Sequence, residues 1–161
     1  MGEPHHIGGD SASVGEGYVL HEGREDVDFP RVASWLAGTC GSPGIPRATV
    51  LRAADGSAVV VFVNYSVAGR VACCRVDSDC ATFAWLCDVF VDPAPRKRGL
   101  SRAMVTDARA HPCLQGLRCC KPATGNAGGI SAELGFVPLL NPERWMVFPP
   151  GAGAGADNPT G

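Results

Sequence analysis

The stretch that most narrows the possible folds is Thr82 to Met104, TFAWLCDVFVDPAPRKRGLSRAM. It opens with a nearly continuous apolar run, which predicts a central strand covered on both faces. Asp88 is a single carboxylate inside that run. Burying it ionised without partners would be costly. It therefore either pairs with an arginine or caps a turn, or it serves as a base or amine-binding group. Two prolines stop the strand, and Arg96, Lys97, Arg98 and Gly99 follow. Leu100, Met104 and Ala108 then fall at i, i+4 and i+8, one stripe of a helix. A helix N-terminus leaves backbone N–H groups unpartnered and carries partial positive charge. A glycine beside it lets an anion approach the backbone closely. The N–H groups of Arg98 to Arg102, the Ser101 hydroxyl and the basic side chains can thus converge on a pyrophosphate. The pattern is neither G-x-G-x-x-G nor G-x-x-x-x-G-K-[ST], which disfavours a dinucleotide fold and an ATPase.

That positive charge is local. The 161-residue chain has a formal net charge of -2, which argues against a general nucleic-acid partner. A hydrophobic fraction of 45% with 19% charged residues fits one globular domain with a real core. No apolar run approaches the roughly 20 residues of a membrane span. The N-terminus lacks the basic start and apolar centre of a secretory signal, so a cytoplasmic protein without membrane contact is expected. Residues 1–17 and 149–161 are rich in Gly and small or polar residues and read as flexible tails around a domain at 18–148. The eight cysteines read as reduced, buried thiols. There is no C-x-x-C, and neighbours on a strand point to opposite faces, so no metal site is expected. Cys87 has no paired histidine and is not read as a nucleophile.

Elsewhere, DFPRVASWLAG predicts a helix that Gly38 stops, and a second short helix starts near Pro46. AVVVFVNYSVAGRVACCRV reads as two strands around a turn near Asn64 to Ser66. LRCCKPA reads as a strand weakened by Pro122. NAGGISAELG reads as a short helix ending at Gly135, and FVPLL and RWMVF are candidate strands. This order predicts an α+β domain on a mostly antiparallel sheet.

The segment CDVFVDPAPRKRGLSRAMV resembles the acyl-CoA-binding motif of the GCN5-related N-acetyltransferase (GNAT) family, a strand, then [R/Q]-x-x-G-x-[G/A], then a helix. SPGIPRATV and DCATFAWLCDVFV are similar to the front half of a small bacterial-type subgroup, and AHPCLQGLR and ELGFVPLLNPERWMVF to its back half. The resemblance implies the acyl-CoA N-acyltransferase fold, a mixed, mostly antiparallel sheet with helices on both faces. It implies acetyl-CoA as cosubstrate, with Val89, Phe90 and Val91 along the pantetheine arm. Arg96, Lys97, Arg98, Gly99, Leu100, Ser101 and Arg102 would hold the pyrophosphate, and Asn126 would also contact the cofactor. An amine on a small molecule or peptide would attack the thioester directly, with Asp88 and Ser131 as the candidate catalytic residues.

The match also has departures. Before Gly135-Phe136 the family runs close to A-H-G-L-Y-x-x-[FL]-G-F, whereas this chain has Gly128 at the histidine and Ser131 at the tyrosine position. Lys121 and Pro122 stand where an aliphatic pair is usual, and Ser101 stands at a Gly/Ala position. The cofactor half of the motif is kept and the catalytic half is altered. A CoA-binding protein with little turnover is therefore the alternative to an active N-acetyltransferase. The acceptor is unreadable, and a homodimer is left open.

Overall fold

The computed structural model describes residues 11–24, 27–39, 42–122 and 128–146. One six-stranded sheet runs in sequence order: β1 (Ser11–Gly15), β2 (Tyr18–Glu22), β3 (Val59–Tyr65), β4 (Gly69–Ser78), β5 (Phe83–Val91) and β6 (Cys119–Pro122). Every neighbouring pair is antiparallel except β5 and β6, which are parallel. Helices α1 (Phe29–Ala37) and α2 (Arg47–Gly56) separate β2 from β3. Helix α3 (Leu100–Ala110) follows β5, and α4 (Gly128–Glu133) follows β6. This is the α+β architecture that the sequence implies, with helices on both faces.

Each helix starts and stops where local chemistry allows. The Asp28 carboxylate accepts the Arg31 N–H at the start of α1, and Gly38 ends it. Pro46 precedes α2, where a missing N–H costs nothing. The stripe on α3 is buried as its spacing requires: Leu100, Met104 and Ala108 are all inaccessible, with Val105 beside them. They pack on Val61, Val63, Ala72, Cys74, Ala84 and Leu86, one face of the sheet. Val32, Ala33 and Leu36 of α1 and Val50 of α2 pack on Phe62 and Cys73, the other face.

Four expectations need correction. The apolar run of β5 is not covered on both faces, because Phe83 and Trp85 are 43% and 50% exposed. The strand lies next to the sheet edge, and α1 reaches only its far end, where Trp35 stacks on Phe90 at 4.9 Å. The strand buried on both sides is β3, whose Val61 and Val63 pack toward α3 and whose Phe62 packs toward α1 and α2. Secondly, Ser11–Gly15, placed in the N-terminal tail by its composition, is an edge strand paired to β2. Thirdly, FVPLL forms no strand, and RWMVF forms none within its described part, Arg144 to Met146. Pro138 removes an N–H that a ladder through FVPLL would need, and Pro142–Arg144 makes a single 3-10 turn that takes in the start of RWMVF. Finally, among the described cysteines only Cys73 and Cys74 are buried; Cys80 and Cys119 are exposed, and Cys40 lies outside the described residues.

Candidate acyl-carrier cleft

Strand β5 changes character midway. Arg75 faces Cys87 and Cys73 faces Phe90, so Asp88 and Val89 together oppose the single residue Cys74. That is a β-bulge, and Asp88 has the left-handed φ of 52° that lets the strand take up its extra residue. The bulge inverts the side-chain parity. Before it, the even residues Ala84 and Leu86 face α3; after it, the odd residue Val91 does, and Phe90 turns to α1. On its other side β5 pairs with β6 only from Phe83 to Leu86. Beyond Leu86 no strand among the described residues continues that ladder, and the sheet opens.

The opening is a cleft of about 660 Å³ lined by Val89, Phe90 and Val91 on the strand and by Arg96, Lys97 and Gly99 to Arg102 on the loop and helix. The loop is tied back to the strand, because Arg96 Nε donates to Val91 O at 3.1 Å. Lys97 and Gly99 both take left-handed backbone, φ 66° and 77°. For Lys97 that costs about 1–2 kcal/mol, whereas Gly99 adopts it freely. A Cβ at Gly99 would meet nothing within 4 Å, so the backbone angle and not crowding calls for glycine. Residues that turn this way bring successive N–H groups to one side, as in an anion-binding nest. Among the described residues, the first N–H after Arg96 to find a backbone carbonyl is that of Ala103, bonded to Gly99 O at 3.0 Å. The amides of Lys97 to Arg102 are thus left for solvent or an anion.

Most of the sequence-derived carrier residues therefore meet in one place. Arg98 is the exception: it does not line the cleft, and its guanidinium lies 5.7 Å from the Tyr18 ring. Asn126 lies outside the described residues. Glu133 is an addition, lining the cleft from α4 and forming an ion pair with Arg102. Both side chains are more than half exposed, so the pair contributes little to stability. Glu133 sits in the same ELGF segment as the family pattern, but its partner is 31 residues away. No local signal announces that contact.

Neither catalytic candidate lines the cleft. Asp88 takes the arginine-paired alternative: its Oδ2 accepts from Arg75 Nε at 2.5 Å. Arg75 Nη1 also reaches Asp77 Oδ2 at 2.5 Å. Burial works against the Arg75 charge, but the hydrogen bonds to Asp77 and Asp88 outweigh it and raise its pKa. This network lies on the α1 and α2 side, where Asp88 and Arg75 line a small void of about 20 Å³ with Val27, Phe29 and Val50. Ser131 lies in α4 and does not line the cleft. Its carbonyl accepts the N–H groups of Leu134 and Phe136, closing the helix. Burial above all pushes the Cys87 thiol up to about 12, with Arg75 opposing and the Asp77 and Asp88 carboxylates reinforcing. A thiol kept protonated in this way is a poor nucleophile.

Among the described residues no group of three or more His, Cys, Asp or Glu side chains is arranged to hold a metal. No helix among them is long and apolar enough to cross a membrane.

No protein-family model and no curated protein matches this chain. Solved structures do. AAC(6')-Iy, in complex with the bisubstrate analogue CoA-S-monomethyl-acetylneamine, is 13% identical over 74% of this chain and 87% of its own, with a TM-score of 0.54. An acetyltransferase of the GNAT family from Streptococcus pneumoniae TIGR4 is 16% identical over 81% of this chain and 95% of its own, with a TM-score of 0.62. At those identities the likeness is one of fold. A GNAT-family protein from Xanthomonas campestris pv. campestris is closer in sequence, 38% identical over 84% of this chain and 97% of its own, with a TM-score of 0.73. Identity at that level along nearly the whole relative, on a shared acyl-CoA N-acyltransferase fold, makes this chain a member of the GNAT family.

Proposed function

We propose that the chain is an N-acetyltransferase that takes an acetyl group from acetyl-CoA and gives it to an amine. The observation that carries this reading is the cleft itself. It joins an unpaired strand edge at Val89 to Val91 with the unpartnered amides of Lys97 to Arg102. The first offers backbone partners to the amides of a pantetheine arm. The second offers donors and positive charge to a pyrophosphate. Three basic residues, Arg96, Lys97 and Arg102, line that end against the single carboxylate of Glu133.

The chemistry needs an amine nitrogen to bond to the thioester carbonyl carbon while the C–S bond breaks and the thiolate leaves. One proton must pass from the amine to a base. Asp88 is assigned to the amine side, since it is adjacent to Val89 in the bulge yet on the opposite face from α3. Its ion pair with Arg75 orients it there. Strand N–H groups beside the bulge would steady the developing oxyanion. Ser131, at the family's tyrosine position, would return a proton to the departing thiolate through water. The acceptor is an amine on a small molecule or a peptide, and the chain works in the cytoplasm.

The substitution at Ser131 favours one rival, a protein that binds acyl-CoA with little turnover. Thiol release from acetyl-CoA with a panel of amines separates the two, run beside calorimetric titration of CoA. Release with any amine supports the enzyme; micromolar binding with no release across the panel supports the rival. Absence of binding defeats both. Ser131→Tyr is expected to raise turnover several-fold, and an unchanged rate would remove the proposed proton role.

A further inference from the structure

The closed end of the β5–β6 gap carries a pair of cysteines that acyl transfer does not use. Cys80 lies in the turn between β4 and β5 and Cys113 in the 3-10 turn Pro112–Leu114 after α3. They are 33 residues apart, yet their Sγ atoms are 2.7 Å from each other. Both sites are held by their surroundings. The Asp79 carboxylate accepts the N–H groups of Ala81, Thr82 and Phe83 at 3.0, 2.8 and 3.1 Å, and the Cys80 N–H bonds to Ser78 Oγ at 2.9 Å. Cys80 itself is kept in left-handed backbone, φ 56°. On the other side, the Cys113 N–H donates to His111 Nδ1 at 3.2 Å, and His111 Nε2 lies 3.0 Å from Glu22 Oε1 on β2. Neither turn needs to move far for the sulfurs to reach bonding distance, about 2.05 Å. Cys80 is exposed and Cys113 partly so, and oxidants therefore have access.

We propose that Cys80 and Cys113 form a redox modification site, closing to a reversible disulfide by exchange with a small-molecule disulfide. The Cys80 thiolate attacks one sulfur of the oxidant and releases the first small thiol, leaving a mixed disulfide on Cys80. Once Cys80 is capped, its hydrogen bond and charge no longer hold the proton on Cys113, and the Cys113 thiolate attacks Cys80 Sγ and releases the second. Two protein thiols lose two protons and two electrons, and one small disulfide becomes two small thiols. The order follows from access. Burial, then the hydrogen bond and charge of Cys80, push the Cys113 thiol up to about 12. Exposed Cys80 is therefore the attacking group. The bond would brace the start of the parallel pair, where the Arg118 N–H donates to Thr82 O at 3.0 Å and Phe83 faces Cys119. It would bind the β4–β5 turn to the chain that leads into β6, and so fix the end of the gap away from the carrier loop.

The test treats the full chain with oxidised glutathione or with dithiothreitol, then uses intact mass, tryptic mapping and thermal unfolding. Oxidation is expected to remove two hydrogens, to join Val76–Arg96 to Ala110–Arg118 through Cys80 and Cys113 on fragmentation, and to raise Tm by about 10 °C. Dithiothreitol should reverse all three. Cys80→Ser should abolish the cross-link and the shift, whereas Cys119→Ser should keep both. A cross-link through Cys87, Cys119 or Cys120, glutathione adducts with no internal bond, or a Tm gain that survives in Cys80→Ser would each overturn the assignment.

Discussion

From Phe83 to Leu86, β5 is paired on both sides, with β4 and with β6; from Val89 to Val91 it keeps β4 alone and borders the cleft. The two halves are one strand with similar apolar composition. They differ in what lies beside them and in the bulge at Asp88 between them. The paired half buries Ala84 and Leu86 against α3. Among the described residues, no strand pairs with the outer edge of the unpaired half, and no backbone carbonyl accepts the adjoining loop amides. Satisfying every backbone group is the ordinary rule for a folded chain, so the half that breaks it is the half available to a ligand. Stability should therefore respond to changes in the first half and binding to changes beside the second.

The largest expected effect is at the open end. Gly99→Glu forces a side chain onto φ 77° and puts a carboxylate in the nest. CoA affinity measured by titration should fall roughly a thousandfold, about 4 kcal/mol, with urea midpoints changed far less. Equal affinity in the variant would break the comparison. Next comes the closed end. Leu86→Ala empties a position that is 4% exposed and should cost about 3 kcal/mol in urea unfolding. The folded fraction should still bind CoA normally; a matching loss of affinity would show that the halves are not separable. Smaller still is Glu133→Gln. Removing the one carboxylate among the basic groups that line the cleft should tighten CoA binding about twofold at low salt and have no effect at high salt.

The smallest effect is a matter of pH. The Asp79 carboxyl is held well below the usual carboxylate range, chiefly by the Thr82 hydroxyl and then by the Thr82 and Ala81 amides. Its folded pKa is depressed. Its contribution to the β4–β5 turn is therefore complete above the unfolded value of about 3.9 and is lost as pH falls through the lower folded value. Carbon-13 chemical shifts of Asp79 through an acid titration check this. A midpoint at the ordinary value would mean that the turn is not preordered, and would also weaken the placement of Cys80.

Elements whose evidence is local were legible. The α3 stripe follows from side chains recurring once per turn, and Leu100, Met104 and Ala108 are buried accordingly. Gly99 and its basic neighbours announce a left-handed start to a helix beside positive charge, and the backbone is found there. Elements whose evidence lies in a partner were not legible. Ser11–Gly15 is short and built of mostly small residues, and becomes a strand only because β2 presents an edge. FVPLL is apolar enough to be a strand, but Pro138 removes a ladder donor and the segment pairs with none of the described strands. Trp85 and Phe83 read as core from composition and stand exposed because no described helix crosses that part of the sheet.

By itself, the order of residues determined the helix periodicity, the turn at the end of β5 and the placing of charge and glycine around it, since each depends on neighbours within a few positions. Tertiary structure alone decided that β6 stops pairing after Leu86, that Asp88 meets Arg75, that Glu133 meets Arg102 and that Cys80 meets Cys113. Such contacts join residues far apart in the chain, and their free energy appears only once the sheet and its helices have brought them together.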